Sequence, residues 1–572
     1  MNVSAKVSNC DRRTAVSGYF SSLLTAHSAL FTPFSPLFPA LRSSPTAFQE
    51  PHAKSEFLAV QERLAKSIWV ALLLLASLTA PTQAQASPFR LTSGPVSGGL
   101  IPLTWTMDSG RSYTLQQSTD LSGSWQPLVH PQVPTFAFSD EAITVLAPVN
   151  GSRRFYRAVE HASPFDPSWA AIPPLRIIRL SAGDGFNTLK STLQSLVPGD
   201  QVLLGSGTYN LSGLLNISPQ GTAAAPIRIQ AAPGAEVIIN RPGVNMNIIE
   251  VGVFSPARYL VLHELEFSGG DEGIKLGNCT NVWIDRCRIH GTGGAAITAK
   301  NENTSNLFIT RNEIWDTGGN AEGIYLGGGS GSGVTTGSII ALNYIHDLPV
   351  PTGGFGAGIV LRQGSSGNLI AANRIQRTSG PSLFIFGTGG LIRNIVENNT
   401  CNNTGNNGMF VLADCLVQNN LINVGTNGSN AFRSTSNSGI SPTRLTVVNN
   451  TFISGSSDAV RIINWETGTT MRFANNACYS QSSRAIHSDI APTGTLFSGN
   501  ITYGSVSAGI GGFLPGNGLS DFTSVTWNAA QLNARPGLSS SLLGAANAAF
   551  VPATDINYRN RTSPHTTGAF GP

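Results

Sequence analysis

From about residue 260 to residue 505 the chain keeps returning to one short pattern, and that recurrence limits its fold more than any other feature. Aligned on a turn residue, the pattern places Leu265, Cys287, Asn312, Asn343, Asn373, Asn399, Asn420, Asn450, Asn476 and Asn500 in one column, 21 to 31 residues apart. Three places earlier every residue is apolar, from Leu262, Ile284 and Ile309 to Phe473 and Phe497. Two places later stands a second column that begins Phe267, Ile289, Ile314 and ends Phe452, Cys478, Thr502. Further on in each repeat comes a third: Ile274, Ile297, Ile324, Ile359, Phe384, Phe410, Phe432, Val460, Ile486 and Ile510.

A repeat this short, with no helical spacing inside it, cannot bury its apolar residues by itself and must stack on its neighbours. Three inward columns mean three short strands per coil around a shared core. The fold expected is therefore all-β, a right-handed parallel β-helix of about ten or more coils over residues 175–515. Asparagine suits the corner, since it tolerates left-handed backbone and its amide can bond the stacked amide above. The same columns make Cys287, Cys401 and Cys478 small buried apolar residues rather than ligands or nucleophiles.

Composition agrees with this reading. Charged residues are only 12% of the 572 and hydrophobic ones 41%, which excludes a charged disordered chain, while 62 Gly and 33 Pro argue against a helical bundle. A net charge of +4 is too small to suggest a nucleic-acid partner.

Ahead of the repeats, Arg63 and Lys66 precede the apolar run Ile68 to Leu78, and Ala84-Gln85-Ala86 follows. That is a secretory signal at 61–86 with maturation near Ser87, so the protein is expected to be secreted and to keep no membrane span. Residues 1–60 then read as a mis-called start or a leader. Period-two runs with Trp105, Tyr113, Trp125, Phe155 and Tyr156 predict a small antiparallel β-sandwich at 87–160, and Pro164, Pro167, Pro173 and Pro174 mark a linker at 161–174. Phe186, Leu189, Leu193, Leu196 and Val197 recur at helical spacing and predict a helix that caps the stack before its first strand QVLLG. Residues 516–572 are left as a C-terminal cap and tail.

Chemistry on such a rod must come from outward positions. Beside the third inward column these are expected to be Lys275, Thr298, Tyr325, Val360, Ile385, Val411, Arg433, Arg461 and His487. At the strand's end they are Gly277, Lys300, Gly327, Arg362, Gly387 and Ala413, and at its start Glu272, Ala295, Glu322, Ala357, Ser382 and Gly408. Lys300 and Arg362 should thus share a column two coils, or about 10 Å, apart, with Gly327 between them. Such a gap flanked by cations suits a sugar carboxylate. β-Elimination needs a cation at the carboxylate, a base for the C5 proton and an acid for the leaving oxygen. Arg362 or a calcium ion can neutralise the carboxylate, with Lys300 or Tyr325 as base or acid. Lys275, Glu322 and Gly327 would line the substrate, and Asp271, Glu272 and Glu322 would be the oxygen ligands of calcium. The competing reading makes these residues solvated cross-coil pairs.

The run YTLQQSTDLSGSWQPL with RRFYRAVE resembles a fibronectin-like accessory module. The segments GTAAAPIRIQAAPGAEVIIN and Asp555 to Phe570 are similar to the opening and close of the secreted parallel β-helix superfamily, which includes pectate lyases, chondroitinase B, alginate lyases, polygalacturonases and mannuronan epimerases. Asn281 to Gly291 (NVWIDRCRIHG) resembles a pectate lyase coil, with Arg286 in place of the expected His and without the Arg-x-Pro-x-x-Arg motif. The polygalacturonase motifs are absent, which disfavours their three-Asp hydrolysis. LRQG, Leu361 to Gly364, is similar to the Leu-Arg-x-Gly coil of the chondroitinase B and alginate lyase family, and the resemblance makes Arg362 the equivalent arginine. The expectation is a monomeric lyase acting on acidic polysaccharide, with a uronate epimerase and a noncatalytic adhesive or carbohydrate-binding protein as alternatives.

Overall fold

The computed structural model describes residues 91–571, with breaks at 108–111, 119–125, 129–140, 149–154, 162, 319–321 and 350–355. The expected leader and signal lie outside the described residues, as do Cys10 and Trp125. Among the described residues no helix is long and apolar enough to cross a membrane.

The first described module is two three-stranded antiparallel sheets. Leu100–Met107 pairs along its length with Glu141–Pro148, and Ser112–Ser118 pairs with Phe155–His161. Alternation in these strands turns Leu103, Trp105, Leu115, Val145 and Ala147 into one core. The proline-rich segment that follows is strapped to the next domain: Phe165 packs with Leu342 and Ala372, and Asp166 pairs with the buried Arg311 at 2.7 Å.

Beyond it about 12 turns of parallel solenoid follow. First strands stack in register through Leu262, Ile284, Ile309, Ile340 and Ile370, and second strands through Phe267, Ile289, Ile314 and Ile345. All of these side chains are buried in one continuous core. Each such burial contributes roughly 1.5–3 kcal/mol, so stacking supplies the stability that no single coil could generate.

The third strands depart from expectation at three coils. Their inward column reads Ile274, Ile297, Ile324, Ile359, Leu383, Met409, Phe432 and Val460. Phe384 and Phe410 point outward and stack on each other at 4.7 Å and 3°, while Ile385 and Val411 are buried inside. Phe386 and Leu412 accordingly replace Gly387 and Ala413 at the strand's end, and Pro381 and Asn407 replace Ser382 and Gly408 at its start. At the last coil Val506, not Ile510, pairs with Ile486.

The asparagine column forms a ladder from Asn312 to Asn500. Asn343 Oδ1 accepts from the backbone and side-chain amides of Asn312, at 3.1 and 2.9 Å, while its own amide donates to Asn373 and to the carbonyl of Ile309. The left-handed backbone expected of these asparagines belongs instead to the residue before each: Arg311, Leu342, Ala372, Asn398, Asn419, Asn449 and Asn475 all have φ between 53° and 62°. The corner thus uses the ladder asparagine for its amide and its neighbour for the bend.

The capping helix runs from Gly185 to Gln194 with Leu189 and Leu193 buried, whereas Val197 is exposed. It is preceded by an edge strand, Arg176–Leu180, that pairs with Asp200–Leu204. At the other end the tail doubles back along the corners. Asn398, Asn419 and Asn449 donate to the carbonyls of Asp555, Thr554 and Thr566, and the buried Arg561 donates to Gly568 and Ala569 at 2.8 Å.

Candidate active site on the third-strand wall

The register Ala299↔Leu326↔Leu361 places Lys300, Gly327 and Arg362 on successive coils of one outward column. Tyr325 lies beside them, paired with Thr298 on one side and Val360 on the other. Asp271, Glu272, Gly294, Ala295, Thr298, Lys300, Glu322 and Tyr325 line an open cleft of about 320 Å³. The structure therefore brings the sequence-predicted residues to one wall, with Lys275 at its margin.

Within the cleft the charges are already arranged. Glu272 is buried; its Oε1 is bonded by Lys300 Nζ, and its Oε2 lies 3.4 Å from Lys275 Nζ. Burial pulls the Lys300 ammonium toward neutrality, but the bond to Glu272 and the charges of Glu272, Asp271 and Glu322 outweigh it, so Lys300 is held protonated. Burial likewise raises Tyr325 above its ordinary value and keeps its hydroxyl neutral. Glu322 differs. Desolvation pushes its carboxyl up to about 7 against the attraction of Lys300 and Arg362.

Arg362 makes no ion pair among the described residues, although it lies near enough to Glu322 to attract it. Its guanidinium sits 4.1 Å from the centre of the Phe386 ring and 5.9 Å from that of Tyr325, and its buried Nε bonds to nothing. Gly327 makes room for it: with φ +83°, any Cβ there would lie 2.7 Å from Ser365 Oγ and 3.1 Å from Arg362 Cβ. Thr298, fully buried on the cleft lining, has a hydroxyl with no partner.

The expected calcium ligands do not assemble. Asp271, Glu272 and Glu322 reach the same cleft, but among the described residues no three His, Cys, Asp or Glu side chains come close enough to hold a metal. Glu272, the most buried of the three, is occupied by two lysines, and that is the physical reason. Sequence reasoning also gave Glu322 only substrate- and calcium-binding roles, named Thr298 as an outward position without a role, and overlooked Phe386. The slip at Phe384 hid Phe386; for the other two, burial between coils is the signal.

A family model described as the right handed beta helix region matches residues 246–347. The chain carries a right-handed parallel β-helix. Solved β-helix structures to which it is similar include the pectate lyase Pel9A, at 15% identity and a TM-score of 0.37 over 70% of this chain and 98% of that one. A mannuronan C-5 epimerase A-module from Azotobacter vinelandii aligns at 12% identity and TM-score 0.42 over 58% and 93%. The alginate lyase AlyGC of polysaccharide lyase family 6 aligns at 14% and 0.39 over 66% and 59%. No curated protein sequence is significantly similar to the chain. What the β-helix does here must come from its own wall.

Proposed function

We propose that this is an exported carbohydrate-active β-helix protein that cleaves an acidic, uronate-containing polysaccharide by β-elimination. One observation carries the reading: Arg362 is held against Phe386 and Tyr325, in the room that the missing side chain of Gly327 leaves for it, and makes no ion pair among the described residues. A guanidinium so placed is a ready partner for a ligand carboxylate.

With the sugar carboxylate on Arg362, negative charge that develops at C5 spreads toward the cation. Glu322, poised near neutrality by burial, takes the C5 proton as the C5–H bond breaks. The electron pair forms the C4–C5 double bond while the C4–O4 bond breaks, and O4 leaves with a proton from Lys300 or Tyr325. Both of those groups are kept protonated, which fits a donor better than the base considered from sequence.

The experiment is incubation of the mature protein with polyuronates, following the ultraviolet absorbance of the unsaturated product. Arg362→Ala should lower kcat/KM by about a hundred- to a thousandfold. Exchange of the C5 proton with solvent deuterium, without the absorbance, would replace elimination by epimerisation. Binding with neither would leave a carbohydrate-binding protein.

A further inference from the structure

Farther along the same wall lies a second cationic place that the cleft does not use. Phe410, Arg433, Arg461 and His487 are successive register partners, so the two arginines are neighbours across one coil step of about 4.8 Å. Like charges directly opposed on a sheet repel. Neither arginine has an acidic partner among the described residues, and the Nε of each is buried and bonds to nothing. Asp458 is already engaged by His487 Nδ1 at 2.7 Å, Ser483 Oγ at 2.6 Å and the Arg484 amide at 3.2 Å. Arg433 is fixed over the Phe410 ring at 5.3 Å. Two adjacent guanidiniums with unused donors, one of them fixed on Phe410, make a seat for an anion that the chain itself does not supply.

The ground between this pair and Arg362 is apolar: Val360, Phe386, Phe410 and Leu412 pack as a buried cluster that leaves the Phe384 and Tyr325 rings partly exposed. Three coil steps separate Arg362 from Arg433, about 14–15 Å along the rod. A sugar ring can lie against the partly exposed Phe384 or Tyr325 ring while carboxylates along the same polymer reach the cations at either end.

We propose that Arg433 and Arg461 form a distal subsite for a uronate carboxylate of the same chain that Arg362 holds. The inference rests on the reading of the cleft given above. It makes the wall a length-sensing surface, on which only an oligosaccharide of about four or more units spans both ends.

The test is calorimetric binding and turnover of oligouronates of two to six units by the full protein, its Arg433→Gln/Arg461→Gln double variant and an Arg461→Lys variant. Wild type should gain affinity sharply once the oligomer spans both ends. The double variant should lose about tenfold or more on long oligomers and nothing on the shortest, and Arg461→Lys, which keeps the charge but not the paired donors, should fall between. Equal losses at every length, or none, would overturn the distal subsite while leaving the cleft intact. Failure of wild type to bind any oligouronate would overturn both. Should the double variant not fold, Arg461→Lys decides by the same length dependence.

Discussion

Lys300 crosses one coil boundary to grip the carboxylate of Glu272, which Lys275 approaches from its own strand at 3.4 Å. That grip both keeps Lys300 charged and takes Glu272 away from any cation. Treatment with a chelator should therefore leave activity on polyuronate and the melting temperature unchanged. Glu272→Gln, by contrast, should free Lys300 and lower its pKa, shifting the alkaline limb of kcat/KM to lower pH. A pH profile of the variant beside wild type checks both statements.

Glu322 gives activity and stability opposite responses to pH. Its folded-state value of about 7 lies above the ordinary 4.5, so the folded protein binds the extra proton between those limits. Stability is full below about 4.5 and is lost as pH rises through about 7, whereas a base at this position works only above that value. Glu322→Gln should abolish elimination and yet stabilise the fold at about pH 8 by up to roughly 3 kcal/mol, with no gain near pH 4. Denaturant titrations at the two pH values measure it.

Gly327→Ala should disable the cleft without unfolding the rod. The new methyl would be forced against Ser365 Oγ and Arg362 Cβ at a left-handed backbone position, at a cost of about 1–2 kcal/mol. Arg362 would be pushed off the Phe386 ring. Substrate affinity should fall while far-ultraviolet circular dichroism stays as in wild type.

The ladder should be far less forgiving. Asn420 Oδ1 accepts from both amides of Asn399, and its own amide donates to Val396, Gln418 and Asn450. Asn420→Ala would strand several buried groups at once and should cost about 2–5 kcal/mol in chemical denaturation. Asn420→Asp keeps the acceptor but loses the donors, and should be no better tolerated.

The coils were legible because short repeats leave stacking as the only way to bury their apolar residues. The third column slipped at Leu383-Phe384-Ile385 and Met409-Phe410-Val411, where every residue is apolar and alternation carries no signal. Stacked phenylalanines on the outer face became possible only because Val360, Leu412 and Ile440 shelter them. The bend beside each ladder asparagine was invisible for a different reason: Arg311, Leu342 and Ala372 adopt it under the constraint of the corner, not by preference. Arg176–Leu180 escaped notice because Arg176 and Arg179 break up its short run, although Ile178 and Leu180 face the core. At the site, positions could be read from register, but the role of Glu322 depends on how deeply its neighbours cover it.

Because each ladder asparagine bonds only within its own coil and to the coils on either side, the ladder by itself sets no number of turns. Duplicating or excising one whole repeat away from the corners that the tail ties would preserve the ladder's bonds and change how far apart its surface groups stand. Lys300, Arg362, Arg433 and Arg461 are in that sense marks on a ruler whose graduations are single turns, and gene-level copying of one turn is a route by which such a wall can be re-gauged for a different polymer.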